Sequence, residues 1–235
     1  MKKILFPIFL FGCIFSFAQQ TKDSSHNFHF YWGFAGAGQN FDKLNNRLAQ
    51  RPEYEQLKDL FQAGITFGWA SETNKVITDF HFSFYGGTKG DKEKKSSRLL
   101  SQDISLLLGY NFSKNENIRF YPFAGIGYQS FQAKLNRDLS AIPFDSVLAS
   151  SSTLQRTSSA NLSNGFFTYK LGMGIDFLNK KDHRIGLGIR AGYVGSFTRR
   201  EWRINEDQVL FNAPKDHLSG WFISLQLMRG PRQKR

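Results

Sequence analysis

Residues 166–198 read FFTYKLGMGIDFLNKKDHRIGLGIRAGYVGSFT, and their alternation decides the fold. Along Phe167, Tyr169, Leu171, Met173, Ile175 and Phe177 every second residue is large and apolar, while Thr168, Lys170, Gly172, Gly174 and Asp176 stand between them. After the polar turn 179–183 the pattern resumes as Ile185, Leu187, Ile189, Ala191 and Tyr193, against Arg184, Gly186, Gly188, Arg190 and Gly192. A period of two is the signature of a strand, so the stretch reads as a hairpin. The face that mixes glycine with Lys170, Asp176 and Arg190 makes a poor dry core. The apolar face is therefore read as facing lipid, and the fold as a barrel turned inside out.

The same alternation recurs along the chain. It appears from Phe28 to Ala35, Phe61 to Trp69, Val76 to Tyr85, Leu100 to Phe112, Ile118 to Tyr128 and Trp221 to Leu227, which with the hairpin makes eight strands. Pro122 has no N–H to give a ladder, so a bulge or local edge is expected there. The connections alternate in length. Residues 71–75, 113–117 and 179–183 are short turns, whereas 38–60, 86–98, 132–164 and 199–217 are long. Up-and-down transmembrane barrels show this asymmetry, with short turns on the periplasmic side and long loops outside. Leu44, Leu48, Tyr54 and Leu57 at loosely helical spacing predict one or two helical turns within 38–60. The Ser/Thr-rich stretch 150–153 lies at the centre of the third loop.

The N-terminus carries Lys2 and Lys3, an apolar run to Phe17, and small residues before Gln19, the order of a secretory signal cleaved after Ala18. The chain therefore divides into a signal peptide over 1–18 and a single barrel domain over 19–235. Residues 10–13, LFGC, also resemble a lipobox that would lipidate Cys13, although Phe11 is bulky for that motif and apolar sequence continues beyond it. Cleavage after Ala18 removes the chain's single cysteine and with it any disulfide. It also lowers the formal charge from +12 to +10, since Lys2 and Lys3 are lost. A strongly basic exported protein suggests an anionic neighbour, here lipopolysaccharide phosphate rather than nucleic acid.

From Phe28 to Met228 the chain resembles the small eight-stranded outer-membrane barrels of the OmpA and OmpX type. That resemblance implies an outer-membrane location, an all-β antiparallel fold and a structural or binding role. Such barrels commonly end in an aromatic residue. This chain departs from them, because Leu227 and Met228 are followed by a basic tail, RGPRQKR, over 229–235.

An eight-stranded barrel fills its lumen with side chains. The inward positions include His29, Asp79, His81, Asp103, Arg119, Lys170, Asp176, Arg184 and Arg190, a mixture of signs that predicts an ion-pair plug and not an open porin. The turns place Asp79, Arg119, Asp176 and Arg184 near the periplasmic end and Asp103, Lys170 and Arg190 higher. Asp79, His81 and Ser83 share one face, but residues two apart on a strand are separated by about 6.6 to 6.8 Å, too far for a direct relay unless other residues intervene. A proton or ion path is the functional rival to the structural plug.

His217 and Ser219 at the outer rim resemble the His-x-Ser pair of barrel enzymes that trim lipid A, yet no carboxylate follows Asp216. The alternative reading is therefore a lipid A modifying hydrolase, and a soluble lipocalin-like carrier is a third. Five scattered histidines in the mature chain predict no metal site, and no cofactor is expected. The glycines at 125, 127, 172 and 174 lie inside strands, so they read as lumenal space and not as phosphate loops. Lys89, Lys92, Lys94, Lys95 and Arg98 form the most basic loop and are the expected lipopolysaccharide contacts. Loops 38–60 and 132–164 are the expected contacts for a protein or glycan partner, and a monomer is expected.

Overall fold

The computed structural model describes residues 27–91, 95–138, 159–179, 185–204, 208–209 and 211–230. Eight long strands dominate: β1 (Asn27–Asn40), β2 (Phe61–Thr73), β3 (Val76–Gly90), β4 (Ser96–Tyr110), β5 (Ile118–Asn136), β6 (Ser159–Leu178), β7 (Ile185–Ser196) and β8 (Ser219–Arg229). Each pairs antiparallel with its neighbours in sequence from β1 to β7, and β8 pairs with both β7 and β1. The sheet closes on itself, so no edge strand is left along the membrane span. One helix, α1 (Asp42–Ala49), interrupts the first outer connection. It spans only eight residues, and no helix among the described residues is long and apolar enough to cross a membrane.

The residue alternation maps onto the wall as its period requires. Phe30, Trp32, Phe34, Ile65, Phe67, Leu106, Ile126, Leu171 and Ile223 project outward and are exposed, while His29, Tyr31, Asp79, Asp103 and Arg190 are buried inside. Aromatic residues gather at both ends of the apolar band, with Trp69, Tyr110 and Phe112 toward the short turns and Phe61, Tyr128 and Trp221 toward the long loops. These are interfacial girdles. The first short turn is tighter than 71–75, because strand pairing continues to Thr73↔Val76 and only Asn74 and Lys75 turn the chain, both with positive φ. That pair of left-handed residues matches the twist of a hairpin. Pro122 falls just beyond Gly109↔Phe123, where the β4–β5 ladder stops, and so withholds no donor that the ladder needs. Residues 180–184, including Arg184, lie outside the described residues, as do 1–26 and therefore Cys13 and the cleavage site.

Two of the expected loops are shorter than the sequence pattern implies. Residues 86–90 and 96–98 continue β3 and β4, and 132–136 and 159–164 continue β5 and β6. The reason is a change of solvent outside the wall, with no change of strand phase. On β4 and β5 the outward positions turn polar at Gln102, Ser130, Gln132 and Lys134, while the inward positions turn apolar at Leu99, Phe131, Ala133 and Leu135. Within the membrane the barrel is oily outside. Above it the same strands form an ordinary barrel with a dry interior, which a search for outward apolar residues reads as loop.

Lumenal glycines create the room that large inward side chains occupy. A Cβ at Gly174 would fall within the Tyr121 ring, and one at Gly68 would meet the Tyr31 hydroxyl at 2.5 Å. Gly174→Leu is expected to lower stability by about 1–3 kcal/mol or more through overpacking, whereas Ala124→Leu on the lipid face should be nearly neutral. Urea titration of the compact unboiled form on SDS gels measures both.

Candidate functional site

The lumen is built in two layers. In the lower one, Arg190 from β7 pairs with Asp79 from β3, donates from Nε to the Tyr121 hydroxyl at 3.0 Å, and stacks over the Tyr31 ring at 4.5 Å. Tyr31 donates to Asp79 Oδ1 at 2.6 Å and approaches His81 Nδ1 at 3.2 Å. Tyr121 in turn donates to Asp176 Oδ1 at 3.3 Å. One step higher, Lys170 Nζ meets Asp103 Oδ2 at 2.5 Å, and Asp103 also accepts from the Ser105 hydroxyl at 3.0 Å. Toward the short turns, Arg119 Nε bonds Glu72 Oε2 at 2.7 Å.

Two contacts in this set are not evident from position along the strands. Arg190 lies higher on its strand than Asp79 does on its own, yet the two pair across the lumen, which the length of the arginine allows. The spacing on β3 excludes a direct relay among Asp79, His81 and Ser83 unless other residues intervene, but leaves the tips of His81 and Ser83 free to meet. Their side chains lean together, with Ser83 Oγ 2.8 Å from His81 Nε2, and Asp79 is linked to His81 through Tyr31. The backbone spacing bounds the Cα positions and not the tips of the side chains. Tyr31, Tyr121 and Glu72 were absent from the sequence-derived network. Tyrosines at inward positions carrying glycine cross-strand neighbours, such as Tyr121↔Gly174 and Tyr31↔Gly68, are the signal that would have found the first two.

The upper layer combines an aromatic cluster with a buried polar chain in which Ser101 donates to Gln62 and Gln62 to Gln39. Phe41 is fully buried among Phe131, Phe166 and Trp202, with ring centroids at 5.0, 6.3 and 5.2 Å. Leu44 and Leu48 of α1, together with Leu57, Leu60 and Leu99, complete the cluster. The helix has no capping side chain of its own at Phe41. Asp216, arriving from the last outer connection, accepts from the backbone N–H groups of Lys43 at 2.7 Å and Leu44 at 3.0 Å, and from Trp202 Nε1 at 2.8 Å. Burial raises the Asp216 carboxyl above its ordinary range, and those three donors oppose the rise. One carboxylate thus fastens α1, Trp202 and the last loop into a cap inside the outer rim.

Comparison with known proteins agrees with this architecture. Residues 9–215 match the outer membrane protein beta-barrel domain model. The chain belongs to that family. Solved structures similar to it include Neisserial surface protein A, at 12% identity with 89% of this chain and 100% of that one covered and a TM-score of 0.47. Ail, the attachment invasion locus protein of Yersinia pestis, aligns at 15% identity over 86% of this chain and 98% of its own, with a TM-score of 0.45. OprG from Pseudomonas aeruginosa aligns at 13% identity over 88% and 96%, with a TM-score of 0.46. No curated protein matches the chain.

In this outer membrane protein beta-barrel the remaining candidate residues are dispersed. Lys89 donates to Lys58 O at 2.7 Å and Lys95 to Pro52 O at 3.0 Å, with Glu55 within 3.8 and 3.9 Å of the two, so both fasten the 41–60 segment down. Arg98 points outward from β4, and Lys92 and Lys94 lie outside the described residues. At the rim, Asp216 and Leu218 are buried and His217 between them is exposed, with Nδ1 3.2 Å from Ser196 Oγ. Asp216 is committed to the cap and His217 to Ser196, so neither is aligned with Ser219. Among the described residues no group of three His, Cys, Asp or Glu converges to hold a metal.

Removing one partner of the buried pair, as in Asp79→Leu or Arg190→Met, is expected to destabilise the barrel by about 3–5 kcal/mol, and the double replacement to recover much of it. Urea unfolding in lipid bilayers, read by tryptophan fluorescence, tests the cycle. Asp216→Ala is expected to cost about 1–2 kcal/mol locally and to make the 41–60 connection cleavable by protease added to intact cells, with the wall strands still protected.

Proposed function

We propose that this protein is a non-enzymatic, monomeric outer-membrane barrel, exported by its N-terminal signal over residues 1–18, that is closed to solute passage and acts by binding at its outer end. What supports this reading is that buried side chains from the strands meet inside the barrel at two heights. Charged pairs, Arg190 with Asp79 and Lys170 with Asp103, block it below, and the aromatic cluster around Phe41 blocks it above. A proton or ion route would have to pass beside that aromatic cluster, where the buried Ser101, Gln62 and Gln39 are bonded to one another. The connections 38–60 and 132–164 then remain as surfaces for a protein or glycan partner, and the basic rim for lipopolysaccharide.

The hydrolase reading is disfavoured by the other bonds these residues make, Asp216 with α1 and Trp202 and His217 with Ser196. A catalytic base needs hydrogen-bond reach to its nucleophile and an orienting acid.

The experiment is reconstitution in planar bilayers with parallel liposome-swelling assays. Protein that shows the unboiled-to-boiled mobility shift should give no sustained conductance steps and no uptake of small sugars. Persistent channels from the unaltered chain, closed to no greater extent than in a variant lacking Trp202 and Phe41, would overturn the plugged reading. Ser219→Ala should leave the acyl pattern of extracted lipid A unchanged, and a changed pattern would restore the enzyme.

A further inference from the structure

On β4, β5 and β6 the outward face turns from apolar to polar near one height, with Leu100 on β4 the last apolar residue above that change. Tyr128 and Phe167, whose rings lie 5.4 Å apart, are the last aromatic members of the apolar band, and Gln102, Ser130, Gln132 and Ser163 stand next above them. The final outer connection folds against this boundary. Its Arg203 and Ile204 pair with Ser163 and Leu162 of β6, continuing the wall where β7 has ended. Between the connection and the wall lies a groove of about 520 Å³.

Among the described lining residues the charge is unbalanced. Arg199, Arg200, Arg203 and Lys215 line one side, and the acid among the lining residues is Glu201, which Lys215 already engages at 3.0 Å. Arg200 is fixed in place, donating from Nε to Gly165 O at 3.1 Å while its own carbonyl accepts from Asn164 Nδ2 at 3.2 Å. Arg199, Arg200 and Arg203 are all exposed. A separate feature of the wall points the same way. Arg98 and Lys134 are direct cross-strand partners on the outward face, both exposed, and their other cross-strand neighbours are Thr88 and Asn161. Like charges placed opposite each other weaken a sheet unless an anion lies between them.

We propose that this groove binds the phosphorylated head group of an outer-leaflet glycolipid. The three guanidinium groups present planar forks suited to phosphate oxygens, and the hydroxyls and amides of Ser130, Ser163, Gln102 and Gln132 suit the sugar that carries the phosphate. The acyl chains run down over Tyr128 and Phe167. The groove's height at the lipid boundary selects a membrane lipid over a soluble anion, because only an amphiphile satisfies the arginines and the apolar floor together. This inference deepens the outer-end binding reading, places the main phosphate contact on the last connection instead of on Lys89 and Lys95, and depends on the chain being a membrane barrel.

The test uses the full chain folded in detergent micelles doped with diphosphoryl lipid A or with the same lipid dephosphorylated, with bound lipid counted by native mass spectrometry. Unaltered protein should retain the diphosphoryl form at least tenfold better, and rising salt should erode the difference. The triple variant R199Q/R200Q/R203Q should lose that preference while keeping its mobility shift on SDS gels. The Arg→Lys version of the same triple should retain part of it. Equal retention of both lipids, or full retention by the glutamine variant, overturns the proposal. Inorganic pyrophosphate that occupies the groove while lipid A does not would make it a site for soluble anions and equally overturn the lipid assignment. Loss of the mobility shift in the unaltered chain would instead strike the barrel reading itself.

Discussion

The structure depends on one constraint: in hydrocarbon no backbone N–H or C=O can go unpaired. The chain meets it by closing β1 onto β8 and β7 onto both β8 and β6, so that each long strand has two partners. Closure with eight strands fixes a lumen too narrow to leave empty, which in turn decides what the inward residues must do. They must fill space and satisfy one another. Glycines at 68 and 174 admit Tyr31 and Tyr121, and those tyrosines bring Asp79 and Asp176 into one hydrogen-bonded set with Arg190.

The lumen changes character with height because the medium outside changes. Beside hydrocarbon the inward face carries the charges that lipid would reject, and Lys170 pairs there with Asp103, Arg190 with Asp79 and Arg119 with Glu72. Beside water the outward face can be polar, and the interior becomes a conventional dry core around Phe41. Asp216 joins the two regimes. It is a buried carboxylate, but it caps α1 and holds Trp202, so its desolvation is offset by three donors. The outer rim that results is held by buried bonds and carries exposed basic residues such as Arg199, Arg200 and Arg203.

Much of this was legible from the chain alone. Outward Phe30, Trp32 and Phe34 and inward Asp79, Asp103 and Lys170 were separable by parity, since a strand sends successive side chains to opposite faces. What misled was a change in solvent. Leu99, Phe131 and Leu135 are apolar at inward positions, so the outer ends of β4 and β5 broke the expected pattern and read as loop. The basic stretch 86–98 also lost its unity, because Lys89 and Lys95 turned out to hold the 41–60 segment.

The sequence by itself determined that this is an eight-stranded barrel facing lipid, because period-two alternation and the unequal connections follow from local geometry and from which side chains hydrocarbon accepts. Only the tertiary structure decided which charges meet, that Ser83 touches His81, that Asp216 from one end of the chain caps a helix near the other, and that four cations gather in one groove. Those pairings join residues from 14 to 173 positions apart in most cases. They depend on strand stagger and side-chain reach, and neither quantity is written in a local pattern.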